Sequence, residues 1–125
     1  MKKSNVTRET TMAFAIRIVQ LYQYLTTEKK EFVMSRQILK SGTSIGANTR
    51  EAENAESDAD FIHKLSAAQK EANETLYWLE LLRKTAFIST TEFNSIFGEA
   101  KKIYAMITSS ILTRKQNIAA TPHKS

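Results

Sequence analysis

The stretch Ser41–Leu82, SGTSIGANTREAENAESDADFIHKLSAAQKEANETLYWLELL, decides the fold of this chain. It opens on small residues at helical spacing, passes through an acidic segment, and ends in a long amphipathic run with neither Pro nor Gly. Met34, Ile38, Ser41, Ile45, Asn48, Ala52 and Ala55 recur in alternating steps of four and three, the seam of a packed helix. Most members after Ile45 are small, so a neighbouring helix is expected to approach closely. Gly42 and Gly46 form a Gly-x-x-x-Gly on an adjacent face. In a lipid setting that spacing marks helix dimerisation, but polar flanks and a short run point to close helix contact in a soluble bundle. Each Gly costs a helix about 1 kcal/mol relative to Ala, so the alternative to one continuous helix over 31–54 is a bend or break near Gly42.

Beyond it, Ser57 followed by Asp60 gives a capping-box-like start, with acidic groups near the positive end of a helix dipole. Phe61, Leu65, Ala68, Ala72, Leu76, Leu79 and Leu82 then mark the core face of a third helix over 58–86. Trp78 and Leu81 fall off that stripe. Upstream, a first helix is expected over 7–27 with two apolar stripes, Met12, Ile16 and Val19 beside Phe14, Ile18, Leu21 and Leu25. That band is wider than one core contact requires, which suggests burial by the bundle and by a second subunit. Ser89 and Glu92 form another capping box, opening a fourth helix over 90–114 with Phe93, Ile96 or Phe97, Ala100, Ile103 or Tyr104, Ile107 and Ile111 inward. Residues 115–125 read as a polar, disordered tail containing Pro122. The expected architecture is all-α: an up-down-up-down antiparallel four-helix bundle forming one domain over 1–114, with surplus apolar surface on helices 1 and 3 that marks an interface.

Composition sets the outer bounds. With 125 residues, 42% hydrophobic and 25% charged, the chain suits one globular domain. It has no Cys, which excludes disulfides, thiolate metal sites and a cysteine nucleophile. No apolar run approaches the roughly 20 residues that span a bilayer, and the N-terminus lacks a signal-peptide apolar region. A cytoplasmic location is expected. The net charge of +5 hides an asymmetry: Glu51, Glu53, Glu56, Asp58 and Asp60 fall together, so the rest of the chain is more basic than the total suggests. Such a balance favours polyanionic partners, although solvated surface lysines give the same composition.

Ser44, Ile45, Asn48 and Glu51, followed by Asp60, Phe61, Leu65, Glu71, Glu74, Trp78 and Leu82, resemble the pattern of the four-helix-bundle proteins encoded in intervening sequences of bacterial 23S ribosomal RNA. The similarity extends more loosely from about Met12 to Leu112. In the family the Asn is followed by an Ile-Ala-Glu-Gly turn; Thr49, Arg50, Glu51 and Ala52 stand here, keeping the Glu and losing the Gly, so helix 2 is expected to run on. The resemblance implies assembly as a cyclic oligomer, a homopentamer arranged as a barrel. It reaches also to the accessory variability proteins of diversity-generating retroelements, basic pentameric bundles that associate with a reverse transcriptase and nucleic acid. The family has no settled activity.

Chemistry-bearing constellations are few. Asp60 and His63 lie three apart on one helix face, the spacing used twice in di-iron bundles, but the only other histidine is His123, in the tail. The acidic segment lacks EF-hand spacing and its central Gly. No P-loop, Gly-x-Gly-x-x-Gly or Gly-x-Ser-x-Gly is present. The chain is read as non-enzymatic, without cofactor or metal. Asn48, polar on a seam, is expected to be a buried hydrogen-bonding residue fixing helix register, the alternative being a polar contact to a ligand in a central channel. Ile45, Asn48, Phe61, Leu65, Trp78 and Leu82 are candidates for bundle or interface packing.

The basic residues are scattered, with no base-reading motif. In a cyclic oligomer each becomes a ring, and Arg36, Lys40, Lys101 and Lys102 are the candidates for phosphate contact. Two readings follow: a scaffold binding structured RNA or other nucleic acid electrostatically, or a protein-interaction scaffold without direct nucleic-acid contact.

Overall fold

Four helices occupy nearly all of residues 3–120, the part of the chain described by the structure, a computed structural model. They are α1 (Lys3–Thr27), α2 (Met34–Glu53), α3 (Asp58–Lys84) and α4 (Thr90–Ala120), with no strand among the described residues. Cross-helix contacts fix the directions. Arg8 meets Glu53 and Ile18 meets Gly42; Ser41 meets Thr75; Asp58 meets Arg114 and Gln69 meets Thr108; Thr7 meets Met106 and Arg17 meets Glu92. Low numbers pair with high ones each time, so neighbouring helices run antiparallel in the order of an up-down bundle. The α1–α4 seam is the loosest of the four, and the α2 and α4 backbones make no close approach, as helices on a diagonal of the bundle.

The periodic seams become the core. Phe14, Ile18, Leu21 and Leu25 from α1 meet Ile38, Ile45 and Ala52 from α2. Leu65, Ala68, Ala72, Leu79 and Leu82 from α3, Ile88 from the α3–α4 connection, and Ile96, Ala100, Ile103, Ile107 and Ile111 from α4 complete it. Leu39 and Met34 pack partly against its edge. α2 is unbroken at Gly42 and continues to Glu53. Its two glycines serve the α1 contact: a Cβ at Gly42 would lie 2.8 Å from Ile18 Cγ1, and one at Gly46 3.3 Å from Thr11 Oγ1.

The helix ends explain where the boundaries depart from the sequence pattern. α2 starts at Met34 rather than near residue 31, because the Glu31 carboxylate lies outside the helix and accepts from the amides of Val33, Met34 and Ser35 at 3.2, 3.1 and 2.8 Å. These are donors that a helix start leaves without intrahelical partners. Ser57 Oγ accepts from the Asp60 amide at 3.0 Å, and Ser89 Oγ from the Glu92 amide at 3.1 Å, so both expected caps form. α3 stops at Lys84 with Ala86 left-handed (φ 65°) and the Phe87 amide donating to the Leu82 carbonyl at 2.9 Å, a Schellman stop. α4 does not end at Arg114 but continues through Lys115 to Ala120. That segment, polar enough to read as a tail, holds neither Gly nor Pro to interrupt a helix. Residues 121–125 of the expected tail lie outside the described residues.

Candidate nucleic-acid interface

The cations of this chain divide into two sets. Arg8 pairs with Glu53 at 3.3 Å, Lys64 with Asp60 at 3.5 Å and Arg114 with Asp58 at 2.7 Å. Arg17 bridges α1 and α4 by donating to Glu99 at 2.7 Å, Glu92 at 3.5 Å and the Ser95 hydroxyl at 2.9 Å. Three of these cations converge on the α2–α3 turn, so the acidic segment is largely answered from α1, α3 and α4 and is not a free acidic end. Arg114 also lies over the Phe61 ring, 3.8 Å from its centroid.

Arg36, Lys40, Lys101 and Lys102 belong to the other set. All four are exposed and make no ion pair among the described residues. Arg36 and Lys40, four apart, share one face of α2, and exposed Arg50 extends the basic character of the same helix. Lys101 and Lys102 stand on α4, with Lys101 Nζ 5.9 Å from the Phe97 ring centroid. Since the α2 and α4 backbones make no close approach and both pairs face outward, the structure does not bring the two pairs together within one chain. Lys40 has an acidic neighbourhood of its own. Burial and then Glu74 push the Glu71 carboxyl above its ordinary value, while Lys40 and Lys70 pull it back.

The packing candidates separate by depth. Ile45, Leu65 and Leu82 are in the core, whereas Phe61 and Trp78 are half-buried at its margin. The Trp78 indole N–H is buried without an acceptor, and its ring meets Tyr77 edge-on at 5.0 Å. Asn48 is half-buried and donates to the Ser44 carbonyl of its own helix at 3.0 Å, so it makes no cross-helix register contact. The polar contact between helices lies two turns earlier: the hydroxyls of Ser41 and Thr75, both fully buried, are hydrogen bonded at 3.0 Å between α2 and α3. Each hydroxyl also reaches a carbonyl of its own helix, Thr75 to Glu71 at 2.8 Å and Ser41 to Ile38 at 3.4 Å, so the pair marks where α2 and α3 meet while neither group depends on it. Thr75 lies within the apolar run of helix 3, and only the three-dimensional pairing distinguishes it.

The second stripe of α1 stays uncovered. Met12, Ile16 and Val19 are 46%, 53% and 38% exposed while their neighbours Phe14 and Ile18 are buried. Beside the stripe runs a groove of about 480 Å³ between α1 and α2, lined in part by Met12, Ala15, Ala47 and Arg50. Asp60 and His63, whose spacing matches half of a di-iron site, are not arranged as one. His63 is exposed, and the two Asp60 oxygens meet Lys64 and the Glu56 amide. Among the described residues no group of three His, Asp or Glu side chains is placed to hold a metal ion, and no helix is long and apolar enough to cross a membrane.

Comparison with known proteins matches this arrangement to a family. The model of the 23S rRNA-intervening sequence protein family matches residues 3–109. Among solved structures, the chain is similar to a crystal structure at 1.70 Å of a protein of unknown function from the S23 ribosomal protein family of Bacteroides thetaiotaomicron VPI-5482. The two are 55% identical, with a TM-score of 0.86, over 88% of this chain and 98% of that one. No curated protein matches.

Proposed function

The chain belongs to the 23S rRNA-intervening sequence protein family, and on that premise we propose that it is a non-enzymatic cytoplasmic scaffold. It assembles into a cyclic homo-oligomer, a pentamer, and binds structured RNA through its exposed cations. The observation that carries this reading is the division of the basic residues: Arg8, Arg17, Lys64 and Arg114 are used inside the fold, whereas Arg36, Lys40, Lys101 and Lys102 stand exposed and unpaired. Separated on α2 and α4, they make only a weak field in one chain. Repetition around an axis turns each into a ring, and rings of that kind hold phosphates without reading sequence. The resemblance to accessory variability proteins of diversity-generating retroelements fits the same reading, with nucleic acid handled by a reverse transcriptase as the partner.

Assembly is supported by the bare stripe of Met12, Ile16 and Val19, since a contiguous apolar strip on a charged protein marks a contact surface. Covering each half-exposed side chain gains about 1 kcal/mol. The same stripe supports a second reading, capture of a protein partner with no nucleic-acid contact. A salt series of binding to structured RNA and duplex DNA, with subunits counted by light scattering, separates the two. Affinity falling steeply with salt, and less steeply for Lys101→Ala/Lys102→Ala, is the expected result. An oligomer that ignores both nucleic acids at low salt leaves the protein-partner reading.

A further inference from the structure

At the bundle end opposite the acidic turn, the α1–α2 connection is tied down from within yet holds apolar side chains out in water. Lys30 is left-handed (φ 54°), and the Glu31 amide donates to the Leu25 carbonyl at 3.0 Å. The Glu31 carboxylate is fully used by the amides of Val33, Met34 and Ser35. Even so, Phe32 is 53% and Val33 72% exposed, and Tyr24 is 41% exposed near the end of α1. Single exposed apolar residues are ordinary; what distinguishes this set is its surroundings. Lys29 Nζ stands 5.9 Å from the Tyr24 ring, and Lys30 and Arg36 are exposed beside it in the chain. From Tyr24 to Lys40 the only carboxylates are Glu31, committed to the backbone, and Glu28. Val33, Arg36 and Lys40 follow at steps of three and four, so one face of α2 carries the cations upward from the apolar tip.

We propose that this tip binds unpaired bases of RNA: a base stacks on Phe32 while Lys29, Lys30 and Arg36 hold the flanking phosphates. The proposal rests on the nucleic-acid reading above and adds to it a preference for single-stranded segments. An exposed aromatic ring in a basic setting is the combination that single-strand binding uses, because every base has a stacking face and every linkage a charge. A second copy of the chain is disfavoured as occupant: a two-fold contact would bring Lys29, Lys30 and Arg36 against themselves, and contact around a ring is already assigned above to the bare α1 stripe. A lipid surface is disfavoured because the few apolar side chains here fall short of the area that holds a protein in a bilayer interface.

The test compares a labelled oligouridine with a labelled RNA duplex of equal length at one salt concentration. Phe32→Ala weakens oligouridine binding about tenfold and leaves duplex binding unchanged, Phe32→Trp binds both as the parent does, and Lys29→Ala/Lys30→Ala weakens both. Phe32 is exposed, so these variants keep the helical circular dichroism of the parent. If Phe32→Ala binds oligouridine as tightly as the parent, the tip proposal fails while the nucleic-acid reading stands. If the parent binds neither RNA at low salt, both fail. A changed subunit count in Phe32→Ala assigns the tip to contact between copies and overturns the proposal.

Discussion

Ile18 of α1 fills the space that a side chain at Gly42 of α2 would need: a Cβ there would lie 2.8 Å from Ile18 Cγ1 and 2.9 Å from Cγ2. Ile18 is fully buried and branched at Cβ, so it has no open rotamer to retreat into. The close approach of α1 and α2 depends on that bare backbone.

Three Gly→Ala substitutions should therefore give three different results, although each raises helix propensity by about 1 kcal/mol. Gly42→Ala is expected to destabilise by about 2 kcal/mol, because overpacking outweighs propensity. Gly46→Ala meets Thr11 Oγ1 at 3.3 Å and should fall near neutral. Gly98→Ala meets nothing within 4 Å and should stabilise by about 0.5–1 kcal/mol. Urea unfolding of the three variants checks the order; equal effects would mean that α1 and α2 are not held this closely.

Ala86 ends α3 in a left-handed conformation (φ 65°) that costs a residue with a Cβ about 1 kcal/mol. Ala86→Gly is expected to stabilise the fold by up to about 1 kcal/mol, less the extra freedom of glycine in the unfolded chain. A thermal scan showing a lower Tm for this variant would contradict the Schellman stop.

Glu31 links stability to acid. Burial alone would raise its pKa, but the amides of Ser35, Met34 and Val33 outweigh it, and the carboxyl sits below its ordinary value of 4.5. A carboxylate with a depressed folded pKa stabilises above its unfolded value, and that contribution is lost as pH falls through the folded pKa. Glu31→Gln should cost about 1 kcal/mol at neutral pH, in the range of lost helix caps. The gap between parent and variant should close in acid. A gap independent of pH would show that the charge of Glu31 is not what caps α2.

Much of this architecture is legible in the amino-acid order. Period alone separates the two apolar stripes of α1; that Phe14, Ile18, Leu21 and Leu25 face the bundle while Met12, Ile16 and Val19 stay exposed is decided by how α1 packs on its neighbours. The caps at Ser57 and Ser89 are legible too, since they act within one turn. What escapes is whatever acts across the chain. Arg8 and Arg114 reach the acidic segment from distant positions, at Glu53 and Asp58. Asn48 looks like the buried polar residue of its seam, yet it bonds to its own helix, and Ser41 finds its partner in Thr75. Glu31 caps a helix from outside it. Among the candidate cations, exposure is readable from their place off the seams; the separation of Arg36 and Lys40 from Lys101 and Lys102 depends on α2 and α4 lying apart.

The central claim is that assembly makes these scattered cations into a nucleic-acid surface. Ile16, 53% exposed at the middle of the bare α1 stripe, is the position from which to test it. The most direct measurement is RNA affinity of Ile16→Glu and parent at equal chain concentration, with mass by light scattering. The account predicts an oligomeric parent and a folded, monomeric variant that binds at least about tenfold more weakly, as expected when many phosphate contacts are lost together. A monomeric variant that binds RNA as tightly as the parent would contradict it.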